Sequence, residues 1–124
     1  DVEALRSQNP DHVMSKFRKD AHDAVDIILD IVTAAATTVS DRAGKMVASI
    51  CHGPWVLCSS GSLKGRRCTC FYAIKDDVVN AGGIYEDSEV VVDGGLVTSR
   101  KPEDLPAFLR ACISILGKQA AATA

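Results

Sequence analysis

Apolar and polar positions along this chain change period several times, and each change marks an element. After Asn9-Pro10-Asp11, a combination suited to a helix start, Val13, Met14 and Phe17 recur at the spacing of one helical face. In the next stretch Asp23, Asp26, Asp30, Thr33 and Thr37 form one narrow polar stripe. Val25, Ile28, Leu29, Val32, Ala35, Ala36 and Val39 cover the rest of that helix, a surface wide enough to demand burial in its own domain or against a partner subunit. Ala43-Gly44-Lys45 interrupts the pattern, and Met46-Val47-Ala48-Ser49-Ile50 reads as a short buried strand. Pro54 suits the first turn of a helix, where its missing N–H is not needed, and Trp55 to Cys58 carry that helix to a stop at Gly61.

Cys68-Thr69-Cys70-Phe71-Tyr72 reads as the next strand, and Lys75 to Ala81 as a helix ending in a left-handed cap at Gly82-Gly83. Glu89-Val90-Val91-Val92 and Leu96-Val97-Thr98 flank Asp93-Gly94, which marks a hairpin because the turn needs positive φ. Pro102 to Gly117 is the last predicted helix, with Leu105, Phe108, Leu109, Cys112, Ile115 and Leu116 on its inner face and a frayed tail from Gln119. Helices alternating with short apolar strands predict an α/β sheet with helices packed over it.

Composition narrows the function classes. Of 124 residues, 47% are hydrophobic and 24% charged, enough for a real core; only 5% are aromatic, so that core rests on aliphatic side chains. A net charge of −2 gives no electrostatic reason to expect nucleic acid, and Lys64, Arg66 and Arg67 fit a solvated turn. Five cysteines at 51, 58, 68, 70 and 112 are odd in number and lack the spacing of a secreted disulfide framework, so a reducing, cytoplasmic setting is expected. Asp1-Val2-Glu3 does not open a signal peptide, and a start without Met fits an upstream segment or processing. The most apolar stretch, Val25 to Val39, is broken by Asp26 and Asp30, which argues against a membrane span. No metal is expected: the aspartates of that stretch lack other ligands to complete a coordination sphere, and Cys68 and Cys70 lack the paired spacing of zinc ligands.

The segment that bears on chemistry is Ser49-Ile50-Cys51-His52-Gly53-Pro54. An apolar strand feeding abruptly into a helix puts the junction at the carboxyl edge of the sheet, where open α/β folds bind ligands. A nucleophile there sits on a tight turn with its side chain exposed, beside N–H groups that can bind an oxyanion and a helix dipole that favours thiolate. Gly53 leaves room for a substrate or a neighbouring backbone to approach. From the spacing alone, a Cys after an apolar strand is more often a small buried core residue than a nucleophile, and Cys58 and Cys112 sit in apolar helical patterns that suit inert packing.

Ile50-Cys51-His52-Gly53-Pro54-Trp55 resembles the nucleophile elbow of the PfpI-type intracellular cysteine proteases. The resemblance continues through Gly61-Ser62-Leu63-Lys64-Gly65-Arg66-Arg67, Ile74-Lys75-Asp76-Asp77, Asn80-Ala81-Gly82, Glu89-Val90-Val91-Val92-Asp93-Gly94, Thr98-Ser99-Arg100 and Pro102-Glu103-Asp104-Leu105-Pro106-Ala107-Phe108, covering Lys45 to Gly117. The wider superfamily includes class I glutamine amidotransferases, the Parkinsonism-associated protein often described as a deglycase, and cofactor-independent glyoxalases. The resemblance implies a flavodoxin-like three-layer α/β sandwich with a mostly parallel sheet, incomplete at its amino-terminal side. On this reading residues 1–124 form the C-terminal portion of one PfpI-like domain, with an extra helical insertion near 21–41. It implies Cys51 as nucleophile, His52 as acid/base partner, His52 and Gly53 as oxyanion donor and site wall, and Glu3, within Val2-Glu3-Ala4-Leu5-Arg6, as the carboxylate that orients the histidine across a subunit contact. The implied activity is cysteine-dependent hydrolysis of peptides or amides without metal or cofactor, in a self-associating chain. Glyoxalase or deglycase action on small dicarbonyl adducts begins with the same attack. A redox-sensing or chaperone-like stress protein is the non-enzymatic alternative, since an exposed thiolate oxidises readily.

Overall fold

Residues 35–38 and 40–123 are described in the computed structural model of the chain. The helix expected after Asn9 and most of the 21–41 stretch lie outside them; of the latter, residues 35–38 and 40–42 are helical. Five strands and three α-helices follow: β1 (Val47–Ile50), α1 (Pro54–Ser60), β2 (Arg67–Cys68), α2 (Lys75–Asn80), β3 (Ile84–Tyr85), β4 (Val90–Asp93), β5 (Leu96–Ser99) and α3 (Leu105–Ala122). In one sheet β5 lies between β1 and β4, parallel to β1 (Val47 opposite Leu96, Ile50 opposite Ser99) and antiparallel to β4. A second, two-stranded sheet pairs β2 with β3 in parallel.

Side chains alternate across a strand, and β5 shows what that does here. Leu96 joins a core with Leu57 of α1, Val78 of α2, Leu63, Cys68, Cys70 and Ile74, whereas Val97 joins Phe108 and Cys112 of α3 on the opposite face. The sheet is therefore covered on both sides, and all four residues of β5 are buried. Burying each large aliphatic side chain of these clusters contributes about 1.5–3 kcal/mol. On β1 the same parity sends Val47 to the α1–α2 face and Met46 and Ile50 to the α3 face.

Turn chemistry sets the ends. Gly61 takes φ of 71°, with its N–H on the Cys58 carbonyl and that of Ser62 on Leu57, and so stops α1. The N–H groups of Gly82 and Gly83 return to the carbonyls of Val79 and Val78, the paired bonds that close a helix through a left-handed residue. Gly94, at φ 59°, turns β4 into β5 as the hairpin signal requires.

Three expectations need correction. The strand expected over Cys68–Tyr72 stops at Cys68, because the Thr69 N–H donates to Thr98 Oγ1 (2.8 Å) and the Phe71 N–H to the Cys51 carbonyl; Tyr72–Ile74 is then a 3-10 turn. The last helix does not end at Gly117. Pro102–Asp104 forms a 3-10 turn and α3 runs on to Ala122, since one glycine costs only about 1 kcal/mol and good helix formers follow it. On its expected inner face Phe108 and Cys112 are buried and Ile115 is half-buried, whereas Leu105, Leu109 and Leu116 are exposed, a three-stranded sheet being too narrow to cover them. The two arginines of the basic cluster form ties: Arg66 bonds Asp41 and the Asp93 carbonyl, and Arg67 grips Glu86 with two nitrogens.

Candidate active site

β1 ends at Ile50, and three residues, Cys51, His52 and Gly53, turn the chain into α1. Cys51 makes the turn with φ of 61°, the one positive φ outside glycine among the described residues. A β-carbon in that region costs about 1 kcal/mol or more and persists only where neighbours hold it. Here the Cys51 N–H donates to the Ser99 carbonyl at the end of β5 (3.1 Å), and the Cys51 carbonyl accepts from Phe71 (2.9 Å). Gly53 completes the corner: a β-carbon on it would stand 2.6 Å from Ser49 Oγ and 3.0 Å from the Ile50 carbonyl oxygen. The close approach that a glycine allows is thus to the strand's own end.

That corner leaves Cys51 half-buried and His52 exposed, with the sulfur 3.1 Å from His52 Nδ1. A thiol at that distance from an imidazole can pass its proton to the ring and react as thiolate, the nucleophilic form. The remaining thiols are held back by their surroundings. Burial pushes Cys68 up to about 11 and Cys70 up to about 12, and it also raises Cys58, helped by the Asp77 charge, and Cys112.

Most backbone donors of the corner are already used: Gly53 N–H goes to Ile50, Trp55 N–H to His52, and Val56 N–H to Gly53. The His52 N–H has no acceptor among the described residues, which makes it the donor available to a developing oxyanion. The His52 ring has two aromatic neighbours, Trp55 at 5.5 Å between centroids and Phe71 at 4.8 Å. Phe71 also helps to line a cavity of about 220 Å³ with Tyr72, Tyr85, Arg100 and Lys101. Arg100 is held by Asp104 and Asp87.

Of the residues expected from the sequence, Cys51, His52 and Gly53 stand together at this corner, and Glu3 lies outside the described residues. Among the described residues no three His, Cys, Asp or Glu side chains are grouped to share a metal ion, and no helix is long and apolar enough to cross a membrane. Two participants escaped the sequence reading. Phe71 falls in the strand expected over Cys68–Tyr72, and Asp77, which accepts the Trp55 indole N–H at 2.7 Å, falls in the expected Lys75–Ala81 helix with no role assigned. Both contacts join residues about twenty apart, and no local pattern announces them.

Comparison with known proteins gives the family. Residues 9–115 match the DJ-1/PfpI family. A protein of Pyrococcus abyssi named as a deglycase is 56% identical over 73 residues, 59% of this chain and 44% of that protein. A Bacillus subtilis protein provisionally named a cysteine protease is 49% identical over 72 residues, 58% of this chain and 43% of that protein. Among solved structures, a two-domain protein of Anabaena variabilis with DJ-1/ThiJ/PfpI-like and ferritin-like domains matches with a TM-score of 0.67 and 45% identity, over 68% of this chain and 24% of that one. The chain spans less than half the length of the curated relatives it matches. Its α/β layers are those of the flavodoxin-like fold of these structural neighbours, with part of the sheet.

Proposed function

Because this chain belongs to the DJ-1/PfpI family, we propose that it supplies the reactive corner of a cysteine-dependent hydrolase acting on peptide or amide bonds. The observation that carries the reading is the Cys51 sulfur set 3.1 Å from His52 Nδ1 on a backbone turn at φ 61°, a conformation that a residue with a side chain keeps only where its surroundings hold it. In the proposed reaction the Cys51 thiolate attacks the carbonyl carbon, and the carbonyl π pair moves to oxygen. The free N–H of His52 donates to that oxyanion. The protonated imidazole gives its proton to the amine nitrogen as the C–N bond breaks, leaving a thioester on Cys51. Water, deprotonated by His52, then attacks the thioester carbon; the C–S bond breaks, the carboxylic acid leaves, and His52 returns the proton to the Cys51 sulfur. These steps call for no metal or organic cofactor.

A second reading keeps the thiol and changes the carbonyl. The Pyrococcus abyssi relative is named as a deglycase, and attack on a dicarbonyl adduct starts from the same thiolate. Assaying a peptide substrate and methylglyoxal side by side, with parent and Cys51→Ala, separates the two. Peptide turnover lost in the variant supports hydrolysis, methylglyoxal turnover lost in the variant supports the second reading, and activity that survives Cys51→Ala overturns both. Self-association belongs to the proposal, with Glu3 of a second copy as the carboxylate that orients His52. A Glu3→Gln chain that assembles and turns over as well as the parent would remove Glu3 from the mechanism.

A further inference from the structure

Histidine in an acid/base pair needs its ring held, and among the described residues no carboxylate bonds to His52. What does surround the ring is aromatic: Trp55 on α1 at 5.5 Å and 57° between planes, and Phe71 after β2 at 4.8 Å and 33°. The Phe71 backbone N–H is bonded to the Cys51 carbonyl, which anchors that residue's backbone beside the one that carries the thiol. Trp55 is about half exposed, and packing alone does not hold it. Its indole Nε1–H is instead bonded at 2.7 Å to Asp77 Oδ2, a carboxylate on α2. We infer that Trp55, anchored by Asp77, is a positioning residue that clamps the His52 ring against Phe71 and so keeps Nδ1 facing the Cys51 sulfur.

The physical case has two parts. A ring in contact with two others loses alternative rotamers, and the 3.1 Å approach to sulfur becomes its standing geometry. Aromatic faces also favour a cation beside them, and an indole whose N–H is bonded to a carboxylate is the more electron-rich for it, so the clamp stabilises the imidazolium that accompanies a thiolate. Other charges on the elements around the ring are engaged or stand elsewhere. Lys75 of α2 lies 5.2 Å over the Tyr85 ring, Arg100 beyond β5 is bonded to Asp87 and Asp104, and Lys101 follows it at the exposed rim. Asp76 is exposed on α2, and on α1 the Cys58 sulfur turns to the Asp77 carbonyl. Asp77 is the acid that reaches the ring assembly through a hydrogen bond.

The inference rests on the thiol–imidazole pair proposed above, and one experiment separates the two. The rate of iodoacetamide modification at Cys51, followed by mass spectrometry of the full chain from pH 5 to 9, is compared for the parent, His52→Ala, Trp55→Ala, Trp55→Phe and Asp77→Asn. His52→Ala should move the profile to higher pH. Trp55→Ala should change it the same way, with a rate roughly three- to fivefold lower near pH 6.5, the scale of a half-exposed contact between an aromatic ring and a cation. Trp55→Phe, which keeps a ring and loses the N–H, and Asp77→Asn, which keeps the acceptor and loses the charge, should fall between. In a His52→Ala background Trp55→Ala should add nothing, because Trp55 acts through His52. A parent-like profile in Trp55→Ala, or an equal shift in the His52→Ala background, overturns the clamp. An unmoved profile in His52→Ala overturns the thiol–imidazole pair and the clamp with it. Asp77→Asn, at an exposed position, keeps the test valid if the tryptophan variants fold poorly.

Discussion

Replacing Gly53 by alanine tests whether the corner is as tight as its geometry states. The backbone itself tolerates alanine, with φ of −52° and ψ of −33°, so any cost comes from contact. The added carbon meets Ser49 Oγ at 2.6 Å, where ordinary contact begins near 3.4 Å, and the Ile50 carbonyl oxygen at 3.0 Å. The hydroxyl can rotate away at about 0.5–1.5 kcal/mol. The carbonyl belongs to the end of β1, paired in register with Ser99, and cannot swing without moving the strand. Overpacking of this kind costs about 1–3 kcal/mol. Urea unfolding of Gly53→Ala should show a lower midpoint at unchanged slope. The Ser49→Ala/Gly53→Ala double variant removes the shorter contact and should recover about 1 kcal/mol as a coupling energy, leaving the carbonyl contact unrelieved. A midpoint equal to the parent's in Gly53→Ala would refute the reasoning, and so would strict additivity in the double variant.

Backbone strain at the thiol makes a second prediction. Glycine is ordinarily less stable than alanine, yet at φ 61° the order should reverse, with Cys51→Gly more stable than Cys51→Ala by about 1 kcal/mol in thermal unfolding; a lower Tm for the glycine variant contradicts it. The buried Asp104 carboxylate is held below its usual range first by hydrogen bonds from Arg100, with burial opposing. A depressed folded-state value means the pair stabilises the fold above the ordinary aspartate pKa of about 3.9, and that this contribution is lost as pH falls through the lower folded value. Urea midpoints of parent and Asp104→Asn should therefore differ at pH 7 and begin to converge only as pH falls below about 3.9, and a gap that stays constant through that acid range would show that the pair does not titrate with folding.

Much of this fold was legible because its elements are local. The strand before Cys51, the helix from Pro54 to the Gly61 stop, and the hairpin at Asp93-Gly94 each follow from a few adjacent residues whose backbone needs match their type. Legibility failed where a distant group took over a backbone donor. Thr98, 29 residues further along the chain, claims the Thr69 N–H and ends β2 early. It failed again at Gly117, where a stop signal is outweighed by the helix formers after it. Adjacency and motif drew attention to Cys51 and His52, whereas the aromatic surround of His52 depends on Asp77 reaching Trp55 across 22 residues. The acidic stripe from Asp23 to Asp30 and the match around Glu3 lie outside the described residues.

The central claim is that one thiol of five is chemically set apart. The direct measurement is competitive alkylation of the native full chain with substoichiometric iodoacetamide at pH 7, the five cysteine sites being quantified by peptide mapping. Cys51 should be modified first, and Cys68 and Cys70, raised to about 11 and about 12 by burial, last. Modification spread evenly over the five sites, or led by any cysteine other than Cys51, would contradict the account.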